Sequence, residues 1–305
     1  MHILKTIRNA LAMAWVRLVL FVPILEPMFL MVGKALNKVA FVSTLYREAR
    51  NRYQTELKQR GQQFKPINVG SISIKFDITE FRMSDAFFLG QTYEPATTAA
   101  FLTHIKPGDV VVDIGVNAGY FSIIAGHLVG EQGQVVGFEP NPPVREMALR
   151  HLAMNGLQQR VRVVPEALSD ASNAAVEFWV PTGSLQSGLA TLEKPVTELR
   201  TCAGPGSRAE GFKRILVPTN RFDTWAEENQ IKQIDFMKVD VEGAEHKVFL
   251  GMTKTLEHYP PKVIICETTP ESPADQLLRN YGYVRKNLEN LGGTWINLIY
   301  YRTQN

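Results

Sequence analysis

Residues 110–119, VVVDIGVNAG, decide the fold of this chain. Three apolar β-branched residues lead into an acid, a glycine follows two places later, and a second glycine closes the stretch before an apolar helical pattern over 120–129. This pattern predicts a buried strand, a tight turn and a helix. Gly115 and Gly119 suit the turn because glycine adopts positive φ readily and lets a ligand approach the backbone without an intervening Cβ.

A second predicted strand, at 134–138, ends in Glu139, where a carboxylate can accept both hydroxyls of a ribose. The turn reads D-x-G-x-x-x-G, whereas a dinucleotide-binding turn reads G-x-G-x-x-G and seats a pyrophosphate on a helix N-terminus. A leading carboxylate instead suits a cationic ligand without phosphates. S-adenosyl-L-methionine, which carries a sulfonium, an ammonium and a ribose, fits these requirements, and a nucleotide-sugar or NAD enzyme is disfavoured.

The chain has 305 residues, of which 45% are hydrophobic, so it can bury the core of one large domain with additions or of two small ones. Its two cysteines, Cys202 and Cys266, show neither C-x-x-C nor Cys/His ligand spacing. The sequence therefore predicts neither a disulfide framework nor a zinc site, and a cytoplasmic location is the simpler interpretation.

Charge is distributed unevenly along the chain. Residues 1–60 contain ten Lys or Arg and three Glu, a net charge of +7, whereas the remainder contains 23 Lys or Arg and 27 Asp or Glu, a net charge of −4. A nucleic-acid enzyme more often has a basic, aromatic face near its pocket. Because no such stretch follows residue 60, we expect no nucleic-acid partner.

The N-terminal segment is apolar but interrupted. Within 3–33, the run between Arg17 and Glu26 is far shorter than the ~20 apolar residues of a spanning helix. A signal peptide is disfavoured by the same arginine. Two hypotheses stay open: residues 1–60 lie on a membrane surface, at its cytoplasmic face, through apolar burial and basic attraction, or they pack on the catalytic domain or on a second subunit of a homo-oligomer.

Strand and helix patterns alternate along the rest of the chain, which predicts a parallel sheet covered by helices on both faces. The domains expected are an N-terminal helical extension at 1–62 and a catalytic domain at 63–305. The expected helices cover 36–60, 85–105 with a boundary near Pro95, 142–154, 221–230, 247–258 and 274–280. The further strands cover 72–78, 161–165, 234–239, 262–266 and 295–301.

One insertion interrupts this alternation. Residues 176–180 and 214–217 have the pattern of a hairpin, and the glycine- and proline-rich residues between them are more numerous than a passive connection needs. The insertion at 181–213 is therefore either a lid over the substrate or a disordered loop.

Acids follow successive predicted strands, and in an open α/β sheet ligands bind outside the carboxyl ends of the strands. We therefore expect these acids to rim one crevice. They are Asp113, Glu139, Asp170, Asp240 and Glu267.

The segments VVDIGVNAGYFS, FEPNP, ALSD, FDTW, IDFMKVDVEGAEHKVFLGM and VIICE together resemble the FkbM-type methyltransferases over residues 67–301. KVDVEGAE is the most diagnostic of them. Val116 and Ala118 depart from the family pattern, but only by small apolar exchanges. The resemblance implies the Rossmann-like, seven-stranded sheet of class I methyltransferases and S-adenosylmethionine as cofactor. It also implies O-methylation of a hydroxyl on a sugar or glycan, a lipid-linked glycan or a secondary metabolite; an N-methyltransferase and an inactive scaffold of the same fold are the alternatives.

The resemblance also implies roles for individual residues. It places four residues around the methionine half of the cofactor: Asp113, Gly115, Asn117 and Gly119. It places Glu139, with Asn141, at the ribose. Against adenine it places Leu168, Ser169 and Asp170. Glu94 matches the acid of the family's Y-E-P segment, and Asp240 falls between cofactor and acceptor.

An alcohol acceptor must lose its proton, and a carboxylate or histidine within hydrogen-bond reach usually takes it. Asp240 and Glu242 are the first candidates, with His246 and Glu267 in reserve. His246 has the alternative of being a surface helix residue, and Glu245 of being only a favourable charge in a first helical turn. Asp240 and Glu267 could instead hold Mg²⁺, but no Asp-Asn pair follows the fifth strand, so we expect no metal.

Overall fold

The computed structural model describes residues 52–79, 92–172, 174–181, 212–290 and 296–302, together with Ala14. The chain divides into two compact units, one of Met1–Asn68 with Lys75–Tyr93 and one of Val69–Ile74 with Glu94–Asn305. Most of the extension predicted at 1–62 and of the lid predicted at 181–213 lies outside the described residues. Both therefore stay predictions.

In the first unit, helix α1 covers residues 52–59 and buries Tyr53 and Leu57. Gly61, with a φ of 64°, follows it in the left-handed conformation expected after a helix end. Strands β1 (Phe64–Val69) and β2 (Ile72–Asp77), of which Val69 and Ile72–Ile74 belong to the second unit, form a separate two-stranded sheet. The strand predicted at 72–78 is present, whereas β1 was not predicted, and neither strand joins the large sheet.

The remaining elements include the strands predicted from residue 110 onward and two strands that were not predicted, at 167–168 and 283–290. The strands are β3 (Val110–Ile114), β4 (Gln134–Phe138), β5 (Val161–Val164), β6 (Ala167–Leu168), β7 (Ala174–Pro181), β8 (Phe212–Asn220), β9 (Phe236–Val239), β10 (Val263–Thr268), β11 (Tyr283–Asn290) and β12 (Ile296–Arg302). The helices are α2 (Pro95–His104), α3 (Tyr120–Leu128), α4 (Pro142–Met154), α5 (Phe222–Glu228), α6 (Glu245–Leu250), α7 (Thr253–His258) and α8 (Pro273–Asn280).

Seven of these strands form one sheet in the order β11-β12-β10-β9-β3-β4-β5. β5, β4, β3, β9 and β10 are parallel, while β12 runs antiparallel to β10 and to β11. The predicted class I methyltransferase fold is confirmed, although the sequence did not predict strand β11. The strand order reverses between β3 and β9, and such a switch point is where ligands bind in open α/β sheets.

The central strands of this sheet are buried on both faces, as expected of parallel strands covered by helices. In β3, Val111, Val112 and Ile114 are at most 1% exposed, and every residue of β9 is buried. The core is continuous from these strands to the aromatic side chains of α5, where Phe138 lies 5.0 Å from Trp225 between ring centroids. A rigid core therefore holds the strand ends that carry the site.

The predicted hairpin is also present. β7 pairs antiparallel with β8, and β6 pairs parallel with β8, so the three strands form a second sheet in the order β6-β8-β7. Ala167, Phe178, Val180 and Val217 pack together as a small core on this sheet. The hairpin thus brings Phe178 next to the strand that follows β5.

The prediction of a single helix at 247–258 is wrong, because α6 ends and α7 begins around Gly251. A Cβ on Gly251 would lie 2.0 Å from the carbonyl oxygen of Ser169. Asp223, from α5, accepts hydrogen bonds from the backbone N–H and the hydroxyl of Thr255 at 2.8 and 2.7 Å. The break between α6 and α7 follows from the close approach of Gly251 to Ser169 and from the carboxylate cap of Asp223. The helical spacing of apolar residues in the sequence reveals neither of them.

Gly251→Ala tests this explanation of the helix break. The new methyl group would overlap backbone, which cannot rotate away, so we expect the free energy of unfolding to fall by about 1–3 kcal/mol. Lys254→Ala, at an exposed position of α7, is the matched control and should change it by less than about 0.5 kcal/mol. Urea unfolding followed by circular dichroism measures both; equal effects of the two substitutions would contradict the explanation.

Candidate functional site

The turn after β3 lies directly against the end of β9. Gly115 has a φ of 92° and donates its N–H to the carbonyl oxygen of Phe138 at 3.0 Å. A Cβ at this position would lie 1.9 Å from the carbonyl oxygen of Asp240. Asn117 and Gly119 continue the turn with positive φ values of 54° and 92°. Only glycine therefore fits at position 115, and the two segments that the sequence singled out meet there.

Helix α4 supports the same turn from the other side. His151 is buried, and its Nδ1 lies 2.8 Å from the carbonyl oxygen of Ala118. A Cβ on Gly119 would come to 3.4 Å from the Cβ of Ala148, so the helix packs closely against the turn. The turn is thus fixed by contacts on both sides.

Glu139, at the end of β4, is 7% exposed and accepts two backbone hydrogen bonds. Its Oε2 accepts from the N–H of Asn117 and its Oε1 from the N–H of Asn141, both at 2.9 Å. Burial raises the pKa of Glu139 to about 7, although these two N–H groups act in the opposite direction. Each carboxylate oxygen has further lone pairs, so the group is held in place and can still accept hydrogen bonds from a ligand.

Asp113 lies beneath the turn. It is 1% exposed, and its Oδ2 accepts a hydrogen bond from the hydroxyl of Ser122 at 2.5 Å. Burial raises the pKa of Asp113 to about 6, while the nearby Lys238 and this hydroxyl lower it. Within the described residues, its Oδ1 is buried without a hydrogen-bond partner. Its predicted contact with the cofactor remains a prediction, because the carboxylate does not line the cavity described next.

A cavity of about 590 Å³, which includes its open mouth, lies at the carboxyl ends of β3, β4 and β9. Of the predicted residues, it brings together Gly115, Asn117, Glu139, Leu168, Asp240 and Glu242. The other lining residues are Ile114, Phe138, Pro140, Glu166, Ala167, Phe178 and Val241.

The charge of the cavity wall is of one sign. Among the described residues that line it, four are acidic and none is basic; the acidic ones are Glu139, Glu166, Asp240 and Glu242. Near Leu168 and Phe178 the wall is apolar. The cavity is therefore suited to a ligand that combines an apolar ring with positive charge.

Lys238 lies under this wall, inside β9. Its side chain is 2% exposed, and its Nζ is 2.7 Å from Oδ2 of Asp240 and 4.9 Å from the ring centroid of Phe121. Burial lowers the pKa of Lys238, but the charges of Asp240, Glu94 and Asp113 outweigh it and the net shift is upward. The lysine therefore stays protonated next to Asp240.

A buried carboxylate shapes the loop that follows β9. Glu245 is 3% exposed, and its Oε1 accepts hydrogen bonds from the N–H groups of Val241 and Gly243 at 3.3 and 3.0 Å. Burial raises the pKa of Glu245 to about 7, and these N–H groups oppose the rise. With Glu242 at a φ of 54° and Gly243 at 106°, the loop turns so that Glu242 lines the cavity.

Two further predicted acids lie near Asn297. Its Nδ2 donates to Oε2 of Glu94 at 2.9 Å, and Glu267 is its partner in the pairing of β10 with β12. The pKa of Glu267 is raised well above its usual range, mainly by burial and to a smaller extent by the like charges of Asp240 and Glu242. Neither acid lines the cavity, but Glu267 is close enough to Asp240 for their charges to interact.

The remaining predicted residues do not line the cavity. Gly119 ends the turn after β3 with a positive φ, and Asn141 donates its N–H to Glu139. The hydroxyl of Ser169 donates to Oδ1 of Asp170 at 2.9 Å, and His246 is partly exposed on α6. Their predicted contacts with cofactor or acceptor remain predictions.

Three residues that sequence reasoning missed belong to this site, as does Glu245, for which the sequence offered only a favourable charge in a first helical turn. Glu166 and Phe178 line the cavity, while Lys238 and Glu245 support it. Only Lys238 had a usable signal, namely a cation inside an otherwise apolar strand. Phe178 reaches the cavity through the pairing of a distant hairpin, which no local pattern reveals.

In the described part of the chain, the His, Cys, Asp and Glu side chains form no group of three or more that could hold a metal ion. Among its helices, none has the length and apolar character needed to cross a bilayer.

Three relatives of known type are similar to part of the chain. It is 32% identical to the 31-O-demethyl-FK506 methyltransferase FkbM of Streptomyces tacrolimicus and 29% identical to the 2-O-methyltransferase NoeI of Sinorhizobium fredii. The matches cover 51% and 50% of this chain and 65% and 60% of those proteins. The methyltransferase sdnD of Sordaria araneosa is 26% identical over 52% of this chain and 65% of its own length. The chain thus spans less than two thirds of the length of these relatives.

The chain is also similar to solved structures. The O-methyltransferase from Bacillus cereus in complex with SAH is 13% identical, with a TM-score of 0.38, over 88% of this chain and 96% of that one. The O-methyltransferase TomG from Streptomyces achromogenes in complex with SAM is 15% identical, with a TM-score of 0.36, over 69% of this chain and 79% of that one.

The strongest comparison is with a protein family. Residues 113–292, more than half of the chain, match the Methyltransferase FkbM domain. This range begins at the acid of the cofactor turn and includes β4, the hairpin, β9 and β10. It therefore contains every residue that lines the cavity. The chain belongs to the FkbM methyltransferase domain family.

Proposed function

We propose that this chain is an S-adenosylmethionine-dependent O-methyltransferase that acts on a hydroxyl of a sugar or glycan, a lipid-linked glycan or a secondary metabolite. The observation that carries the proposal is the acidic cavity at the switch point between β3 and β9, with the anchored carboxylate of Glu139 in its wall. Family membership supports methyl transfer. Two relatives named for O-methylation support oxygen as the acceptor atom.

The residues of the cavity fit S-adenosylmethionine part by part. Glu139 would accept hydrogen bonds from the two ribose hydroxyls, because both of its oxygens are fixed by backbone N–H groups. Leu168 and Phe178 would contact the adenine ring, and the acids at the end of β9 would face the positive charges. When bound, the cofactor supplies a methyl group activated by its positively charged sulfur.

The chain itself must orient the acceptor and take up its proton. Asp240 and Glu242 line the cavity, which supports their carboxylates as the first candidates to accept a hydroxyl proton there. His246 and Glu267 remain in reserve, since neither lines the cavity wall. Val241 and Gly243, held by Glu245, fix the distance between the two first candidates.

Binding of S-adenosylhomocysteine, the demethylated cofactor, tests the proposal most simply. Isothermal titration calorimetry should show one site per chain, and methyl-labelled S-adenosylmethionine with a fractionated cell extract should give a labelled product. An alkali-stable label in a glycan or small molecule supports O-methylation, whereas a labelled amine would identify an N-methyltransferase. Cofactor binding without any product would favour an inactive scaffold, and absence of binding would refute the proposal.

Gly115→Ala should abolish this binding, because its Cβ would overlap the carbonyl oxygen of Asp240 and push the two walls of the cavity apart. Gly108→Ala is a close control: Gly108 has a φ of 90°, against 92° for Gly115, but a Cβ there would meet nothing within 4 Å. Both variants bear the same backbone strain. Calorimetry should therefore show loss of S-adenosylhomocysteine binding in the first variant alone; equal loss in both would contradict the geometry.

Glu139→Gln should weaken the binding of S-adenosylhomocysteine by about 10- to 100-fold, the loss expected for hydrogen bonds to a charged acceptor. Since the pKa of Glu139 is raised to about 7, the carboxylate becomes protonated as the pH falls through that value. Wild-type affinity should accordingly fall as the pH is lowered from about 8 to about 6. The fall should be smaller in the variant, in which Glu245, with a pKa also raised to about 7, still titrates. Glu131→Gln, at an exposed position, should keep both the affinity and its pH dependence.

Residues 1–60 are proposed either to bind a membrane surface, at its cytoplasmic face, or to pack on the catalytic domain or on a second subunit. Removal of these residues distinguishes the two. Loss of sedimentation with anionic vesicles, at unchanged mass in solution, would support the membrane hypothesis. A fall in mass without any vesicle binding by the full chain would support a homo-oligomer.

A further inference from the structure

A band of polar side chains crosses one face of the large sheet below the cavity. Asp113 on β3 is in register with Lys238 on β9, which is in register with Ile265 on β10. Partners in register share a face of the sheet, as do residues two apart on a strand. Glu267 therefore lies on the same face, and its partner Asn297 on β12 extends the band.

Lys238 is the cation of this band, and its neighbours are acids. Its Nζ is 2.7 Å from Oδ2 of Asp240, and the charges of Glu94 and Asp113 also act on it. Phe121 covers the ammonium, with the ring centroid 4.9 Å away. The ammonium is thus buried, whereas the Asp240 side chain is 23% exposed and lines the cavity.

Stability alone gives little reason for this arrangement. The other residues of β9, Phe236, Met237 and Val239, are apolar and fully buried. An apolar side chain at position 238 would fit such surroundings, and replacing a buried ion pair with well-packed apolar groups is often neutral or stabilising. The ion pair is better explained by what it does to Asp240 at the cavity wall.

We propose that Lys238 is a positioning residue for the cofactor: its ammonium fixes the Asp240 carboxylate at the cavity wall, where that carboxylate receives the positively charged end of S-adenosylmethionine. The inference rests on the proposed function and goes beyond it by assigning a role to a residue that does not line the cavity. The backbone of Asp240 is fixed as well, since its N–H donates to the carbonyl oxygen of Ile114 at 2.9 Å. Lys238 supplies the corresponding constraint on the side chain.

Three variants test the proposal by calorimetry with S-adenosylhomocysteine, whose ammonium occupies the same end of the molecule. Lys238→Met should weaken binding by about tenfold or more, and Lys238→Arg, which keeps the cation, should recover part of the loss. Lys262→Met is the matched control. Lys262 also pairs with an aspartate, since its Nζ lies 2.5 Å from Oδ1 of Asp235, but this pair is at the opposite end of the strands. The Lys262→Met variant should therefore bind S-adenosylhomocysteine as tightly as the wild type does.

A double-mutant cycle separates positioning from a structural role. If Lys238 acts through Asp240, the double variant Lys238→Met/Asp240→Asn should bind no more weakly than Asp240→Asn alone. Additive losses would overturn the proposal, as would wild-type affinity in Lys238→Met or in Asp240→Asn. Should Lys238→Met fail to fold, the charge-neutral double variant takes its place, and wild-type affinity in that folded protein would overturn the proposal as well.

The outcomes also separate this inference from the proposed function. Failure of the wild-type protein to bind S-adenosylhomocysteine would refute the proposed function. Binding by the wild type and Lys262→Met, with unchanged binding by Lys238→Met, would refute only the positioning role of Lys238.

Discussion

The site depends on one close contact, that of Gly115 with the carbonyl oxygen of Asp240, where no Cβ can be accommodated. This contact joins the turn after β3 to the loop after β9, the two strands between which the order of the sheet reverses. Parallel pairing brings the strand ends together, and the glycine lets their backbones approach. Without this glycine, the turn that contains Asn117 and the loop that contains Glu242 could not both form walls of one cavity.

Buried charge is the second constraint on the site. Asp113, Glu139, Lys238 and Glu245 are all less than 10% exposed, and desolvating such groups costs several kcal/mol unless partners compensate. Backbone N–H groups compensate at Glu139 and Glu245, and carboxylates compensate at Lys238. These compensating contacts also fix the geometry. The interactions that stabilise the buried charges therefore hold the cavity wall in position for a cationic ligand.

The sequence predicted the parts of this arrangement that follow local rules. Strand ends that carry Gly115, Glu139 and Asp240 could be found because apolar runs stop there at glycine or acid. The seven-stranded sheet, though not its strand order, followed from the family resemblance of several such segments. It could not predict the break at Gly251, because a carbonyl from a distant loop causes it. Phe178 was missed for the same reason: only strand pairing places it at the cavity.

A crystal structure of the protein with S-adenosylhomocysteine tests the central claim most directly. The account predicts that the ligand lies in the cavity between β3, β4 and β9, with both ribose hydroxyls within hydrogen-bond distance of the Glu139 carboxylate and the ammonium facing Asp240. A ligand bound elsewhere, or with its ribose away from Glu139, would contradict it.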